Sequence, residues 1–117
     1  YVIPLTVFFS EIFTCTEVGH GKDEPDISQK AMEYLGTTKA NTVVFEDAYY
    51  AAKTARADGF ITVAVYDPHE ENQTELRSVS DLFLEDFTQT DTFWKFAYGN
   101  KPQASSGTLG APPYTAV

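Results

Sequence analysis

The strongest constraint on the fold is a pair of short β-branched and apolar runs that flank an alanine-rich segment. The runs are Thr42–Phe45 and Ile61–Tyr66, and the Ala48–Asp58 segment between them is closed by Gly59. Short apolar runs with polar flanks are typical of strands that are buried on both faces. A strand, a helix and a second strand joined by short turns require a crossover connection, which makes the strands parallel. The sequence therefore predicts an α/β fold with a mainly parallel sheet.

Other segments carry their own periodicity. The Ser10–Val18 segment is rich in β-branched and aromatic residues, which predicts a short strand. Apolar residues recur at helical spacing between Pro25 and Gly36, and both residues suit helix ends. Further along the chain we expect a helix over Glu70–Val79, whose acidic run we interpret as a solvated surface, a strand over Asp81–Leu84 and a helix over Thr90–Ala97.

The two ends of the chain differ from its middle. A length of 117 residues fits at most one domain, and we expect residues 1–98 to form the α/β core. Residues 99–117 contain no carboxylate and are rich in Gly and Pro, which predicts a disordered tail. Because the chain opens at Tyr1 rather than Met, inside an apolar segment, we expect that residues precede it in the natural gene product.

Charge and composition exclude several classes of partner. The chain has 17 acidic and 8 basic residues, a net charge of −9, whereas phosphate backbones attract clustered Lys and Arg. Its best apolar run, Tyr1–Phe9, is too short for a membrane helix. The single cysteine, Cys15, excludes an intrachain disulfide and fits a reducing compartment. We expect a cytoplasmic protein without a nucleic-acid or membrane partner.

Two adjacent carboxylates follow the first buried strand. Glu46 and Asp47 lie where Thr42–Phe45 ends and the alanine-rich helix begins. Ligands bind at the carboxyl ends of parallel strands, and adjacent acids there repel each other unless a cation compensates. Mg²⁺ prefers such oxygen ligands. The alternative is that Asp47 caps the following helix and that Glu46 is solvated.

The second candidate is Lys22, which lies just before the Pro25 helix. An ammonium group there could neutralise an anionic substrate group. The alternative is an ordinary solvated lysine. Lys22 and the acidic pair lie about 24 residues apart on consecutive strand-to-helix turns. Both are therefore expected at the same edge of the sheet.

Together these residues resemble a known family. Gly21-Lys22-x-x-Pro25-Asp26, then Val43-Val44-Phe45-Glu46-Asp47-Ala48, then an Ala-rich helix, Gly59 and an ITVAVY strand resemble the C-terminal half of haloacid dehalogenase-like (HAD) hydrolases. The beta-phosphoglucomutase-like phosphatases are the subgroup most similar to this pattern. The resemblance covers Phe8–Phe87, and it implies a partial Rossmann-like core.

The resemblance implies specific roles. Lys22 would stabilise phosphate charge as the catalytic lysine, and Glu46 and Asp47 would hold Mg²⁺ for a small phosphorylated metabolite. In the family, an Asp in a D-x-D motif on the first strand attacks phosphorus, yet no D-x-D occurs in these 117 residues. We therefore expect a fragment that lacks the nucleophile strand and the cap domain and is inactive alone. The alternative is a non-catalytic binding or interaction module that keeps the edge of the metal site.

The missing strands imply a partner. In the family sheet, the strands corresponding to Ser10–Val18 and Thr42–Phe45 are separated by two others. Without those, both would expose unpaired backbone. We expect that they pair with each other, that another chain (a missing N-terminal half or a second copy) covers their edges, or that the isolated polypeptide is only marginally folded.

Overall fold

The computed structural model describes residues 9–99 and, as a short strand, residues 115–116. Within these residues, the helices and strands alternate along most of the chain. The α-helices are α1 (Cys15–Val18), α2 (Asp26–Leu35), α3 (Tyr49–Ala57), α4 (Gln73–Val79) and α5 (Thr90–Gly99). The strands are β1 (Thr42–Glu46), β2 (Ile61–Val65), β3 (Leu82–Leu84) and β4 (Thr115–Ala116), and a 3₁₀ turn, Lys39–Asn41, precedes β1.

The sheet confirms the predicted α/β class. Its strand order is β3-β2-β1-β4, and every pairing in it is parallel. The register places Val43 opposite Ile61 and Glu46 opposite Ala64. The two buried runs and the alanine-rich helix thus form the predicted βαβ unit. Glu46 is the last residue of β1, so it lies at the carboxyl end of the sheet.

Helices cover the sheet unequally. On one face, α3 approaches closely through Ala51, Ala52 and Ala55, which are buried. Small side chains allow this close approach. Clusters on this face join α3 to the strands and to α4, and their buried members are Val44, Ala55 and Phe60, and Ala52, Ala64 and Leu76. On the other face, Val43, Val63 and Leu84 pack against Phe93 and Phe96 of α5. The core therefore centres on the βαβ unit.

The strand predicted over Ser10–Val18 is wrong. Residues 9–14 form no strand, and Cys15–Val18 is the short helix α1. Its start is a capping box, in which Thr14 Oγ1 accepts from the Glu17 amide and Glu17 Oε2 accepts from the Thr14 amide. Gly19 ends the helix at φ 89°, a conformation that glycine adopts without strain. These local hydrogen bonds outweigh the β-propensity of the segment, so no direct pairing with β1 occurs.

Three other predicted segments differ from the structure in burial or in their bounds. The Pro25 helix begins at Asp26 and ends before Gly36 as predicted, but none of its side chains is fully buried. The helix predicted over Glu70–Val79 begins only at Gln73. Within the predicted tail, Gly99 ends α5 and residues 115–116 pair with Thr42 and Val43 at the outer edge of β1. The rest of the predicted disordered tail lies outside the described residues.

We expect Leu76→Ala to lower the free energy of unfolding by about 2–5 kcal/mol. Leu76 is fully buried against Ala52 and Ala64, so truncation leaves a cavity between α4 and the sheet. Thr74→Ala, at an exposed position of the same helix, should change the free energy of unfolding by less than about 0.5 kcal/mol. Urea unfolding of the three proteins measures the difference. Equal effects of the two substitutions would contradict the core assignment.

Candidate functional site

The structure brings the two sequence-predicted site features into contact. Lys22 lies in the turn that precedes α2, and its Nζ donates a hydrogen bond to Glu46 Oε1 at 2.8 Å. Glu46 belongs to β1, and the parallel pairing of β1 with β2 fixes its position. The contact joins residues 24 positions apart at the carboxyl end of the sheet. This is the edge at which parallel α/β sheets bind ligands.

Burial differs between the two partners. The Glu46 side chain is only 9% exposed, whereas the Lys22 side chain is 41% exposed. The alternative in which Glu46 is solvated is therefore wrong. A carboxylate with so little access to water requires a compensating charge, because burial of an unpaired ion is costly. Lys22 supplies that charge while keeping part of its own hydration.

The protonation equilibria of the pair reflect both burial and pairing. Burial raises the pKa of the Glu46 carboxyl, although the hydrogen bond and charge of Lys22 act in the opposite direction. Burial acts to lower the pKa of the Lys22 ammonium, but the hydrogen bond and nearby negative charges, chiefly of Glu46, together raise it. The two partners therefore stabilise each other's charged form against desolvation.

Asp47 occupies a different environment from Glu46. It is exposed, and its side chain makes no hydrogen bond to the first turn of α3 within the described part of the chain. The N-cap of α3 is Ala48, which has no side-chain acceptor. The first-turn amide of Tyr49 instead donates to Glu70 Oε2 at 2.7 Å. The alternative in which Asp47 caps the helix is thus wrong, and its carboxylate faces solvent beside the Lys22–Glu46 pair.

A cavity of about 440 Å³ adjoins the Lys22–Glu46 pair. It opens between α2, β1 and the chain segment at 9–13, and both partners of the pair contribute to its wall. Ile27, Ala31 and Leu35 line it from α2, which explains why the apolar face of this helix is not fully buried. The cavity therefore combines apolar walls with the Lys22–Glu46 pair and a further carboxylate, Glu11.

The side chains present fit part of a magnesium site. Mg²⁺ is bound through one or two carboxylates together with several waters and substrate phosphate. Glu46 and Asp47 are adjacent hard oxygen donors, and Asp47 is accessible to water. Within residues 9–99, however, no group of three or more His, Cys, Asp or Glu side chains is close enough to hold a metal ion. The acidic pair could thus contribute two ligands, and water and phosphate would fill the remaining coordination positions of the metal.

Sequence reasoning missed the role of Glu70. The sequence predicts a solvated surface for the acidic run after β2, but Glu70 accepts hydrogen bonds from the amides of Tyr49 and Asn72. No local sequence signal identifies the first contact, since 21 residues separate Glu70 from Tyr49. The sequence offers Asp47 as the cap of this helix, so it gives no indication that another residue must serve.

Comparison with known proteins adds no relative. No protein-family model matches this chain, and no curated protein matches it either. Membership in the HAD superfamily therefore stays a prediction.

None of the helices in the described part of the chain has the length and apolar character that crossing a membrane requires.

We expect Glu46→Gln to reveal whether burial or pairing dominates the pKa of Glu46. A raised pKa means that the folded protein holds this proton more tightly than the unfolded chain does, so the stability contributed by Glu46 falls as pH rises above the ordinary value of 4.5. The unfolding free energy of wild type minus that of Glu46→Gln should thus decrease from about pH 4 to pH 7.

Urea unfolding at each pH measures this difference. Glu33→Gln, at an exposed position of α2, controls for the loss of one carboxylate. A difference that increases with pH would mean that pairing with Lys22 outweighs burial.

Proposed function

We propose that this chain supplies the lysine and the acidic pair of a Mg²⁺-dependent phosphoryl-transfer site of the HAD type, which acts on a small phosphorylated metabolite. The observation that carries the proposal is the 2.8 Å contact of Lys22 with Glu46 at the carboxyl end of β1. It unites a cation and an acidic pair at the sheet edge where ligands bind. The proposal includes a cytoplasmic location, which the single cysteine supports.

Lys22 has the character that a phosphate-neutralising group needs. It is a compact positive charge, raised in pKa, and partly accessible from the cavity. A transferring phosphoryl group spreads negative charge over its oxygens, and the protein accelerates its transfer mainly by positioning and charge neutralisation. In the proposed complex, Lys22 contacts both Glu46 and a phosphate oxygen, for which its ammonium group has enough donors.

Glu46 and Asp47 are the residues that would hold the metal. A bound Mg²⁺ supplies charge neutralisation at phosphate oxygens. The two acids contribute different properties, because Glu46 is buried and fixed by Lys22 whereas Asp47 is exposed. Glu46 therefore anchors the site to the sheet, and Asp47 offers the accessible carboxylate.

The proposed chemistry needs a nucleophile beyond these residues. No D-x-D motif occurs in the 117 residues, and Lys22 and the acidic pair provide no attacking oxygen for a covalent step. We propose that this group comes from an N-terminal half of the same fold or from a separate polypeptide. The outer edge of β1 supports this, since within the described residues its pairing with β4 involves only Thr42 and Val43.

A non-catalytic binding module is the second candidate. Two observations favour it: Glu46 is already neutralised by Lys22, and the described residues bring no third ligating side chain near the pair. Such a module would bind a phosphorylated ligand through Lys22 without turning it over. The two candidates differ in turnover once a D-x-D-bearing half is added, because only the enzyme then hydrolyses a phosphate monoester.

We expect Mg²⁺ to bind this chain weakly, at millimolar concentration, because two carboxylates form an incomplete coordination shell. In an NMR titration, the amides of Glu46, Asp47 and Ala48 should shift with Mg²⁺. Asp47→Asn should weaken the response about tenfold, since it removes the accessible carboxylate.

Glu75→Gln is the matched control, because Glu75 is an exposed acid on α4. It should titrate like wild type. The metal assignment is wrong if Asp47→Asn and Glu75→Gln respond alike.

A further inference from the structure

The loop after β2 reaches across the sheet edge to the helix that follows the acidic pair. Glu70 belongs to this loop, and its Oε2 accepts from the Tyr49 amide in the first turn of α3 at 2.7 Å. Tyr49 lies two residues beyond Asp47. The contact therefore ties the turn that carries Glu46 and Asp47 to a second strand-to-helix connection.

Glu70 is itself held in place by its own loop. Its Oε1 accepts from the Asn72 amide at 2.7 Å and from Asn72 Nδ2 at 3.2 Å. Gln73 Nε2 donates to the Glu70 carbonyl at 3.1 Å, and the Glu70 amide donates to Asp67 O at 3.1 Å. Both carboxylate oxygens and both backbone groups are engaged. The side chain is therefore a strut that its hydrogen bonds hold in place at the protein surface.

The first turn of α3 depends on this strut. The N-cap, Ala48, offers no side-chain acceptor, and the body of the helix is fixed against the sheet by its buried alanines. Backbone hydrogen bonds from Asn72 and Tyr49 lower the pKa of Glu70, which keeps it ionised beside the positive end of the helix. The packed helix and the strut leave the Asp47–Ala48 turn little freedom.

The strut also affects where an anion can bind. A helix N-terminus at a strand end is an ordinary anion site, but at α3 a carboxylate of the protein already occupies it. In the proposed function, a phosphate group at this edge would therefore bind at Lys22.

We infer that Glu70 is a positioning residue for the Glu46–Asp47 pair. It acts through the Tyr49 amide, which fixes the turn so that Asp47 is presented beside Glu46 and Lys22. The role in metal and phosphate binding rests on the proposed function, whereas the positioning of the turn does not.

Three variants separate positioning from charge. Glu70→Ala removes both the acceptor and the charge, whereas Glu70→Gln keeps an acceptor for the Tyr49 amide and loses only the charge. Glu71→Ala removes the same charge from the next, exposed residue. Amide hydrogen exchange and chemical shifts of each metal-free protein, followed by a titration with MgCl₂, provide the measurements.

In the metal-free proteins, Glu70→Ala should speed exchange of the Tyr49 amide about fivefold and shift the amides of Glu46 and Asp47. Glu70→Gln should restore both to near wild-type values, and Glu71→Ala should change neither. If the amide chemical shifts of Glu46 and Asp47 are unchanged in Glu70→Ala, the inference is overturned, because Glu70 would then only cap α3. A failure of Glu70→Gln to restore them would overturn it as well, because charge would then be the cause.

In the titration, Glu70→Ala should weaken Mg²⁺ binding about tenfold, and Glu70→Gln should restore most of it. Equal weakening by Glu70→Gln and Glu70→Ala would contradict positioning. If wild type shows no Mg²⁺ response at Glu46 or Asp47, the proposed function fails, and the metal-free measurements still decide the role of Glu70.

Discussion

The site depends on the neutralisation of one carboxylate that the sheet buries. Glu46 is the last residue of β1, and this position leaves its side chain only 9% exposed. Lys22 makes that burial tolerable, and it thereby fixes the turn before α2 to the sheet. Two further contacts reinforce this attachment: Thr54 Oγ1 donates to the Asp23 carbonyl at 3.3 Å, and Gln29 Nε2 donates to Asp58 at 2.9 Å. The segment that carries Lys22 is thus held to the βαβ unit mainly by polar contacts.

This arrangement leaves an apolar surface only partly covered. The face of α2 that sequence periodicity assigns to the core lines the cavity beside β1, and Tyr34 on that face is 52% exposed. The other face of the sheet is covered by α5. Met32 of α2 packs against the buried cluster of Val44, Ala55 and Phe60, whereas the residues of α2 that line the cavity lack the packing that usually accompanies an amphipathic helix. A partner that fills the cavity would complete both the packing and the proposed site.

The βαβ unit and the position of Glu46 at the sheet edge could be predicted from sequence, whereas the contact of Lys22 with Glu46 could not, because the strand over Ser10–Val18 on which that expectation depends does not form. Thr42–Phe45 and Ile61–Tyr66 are short apolar runs of strand length, and the parallel connection then places Glu46 at the sheet edge. The burial of the Lys22–Glu46 pair and the hydrogen bonds around it could not be predicted in this way. The burial of Glu46 follows from tertiary packing. The Glu70–Tyr49 contact spans 21 residues and leaves no local pattern. At Ser10–Val18 the sequence carries two conflicting signals, the capping-box spacing of Thr14 and Glu17 and a high β-propensity, and the capping box prevails in the structure.

The coupling free energy between Lys22 and Glu46 tests this account most directly. A double-mutant cycle of Lys22→Met and Glu46→Gln, followed by urea unfolding at neutral pH, isolates that energy from other effects of each substitution. Because Glu46 is buried and Lys22 is 41% exposed, we expect a coupling of about 1–2 kcal/mol. The exposed pair Arg77–Glu85, taken through the same cycle, should give about 0.5 kcal/mol or less. A Lys22–Glu46 coupling no larger than that of the exposed pair would contradict the account, because the two residues would then not act as one charged unit at the sheet edge.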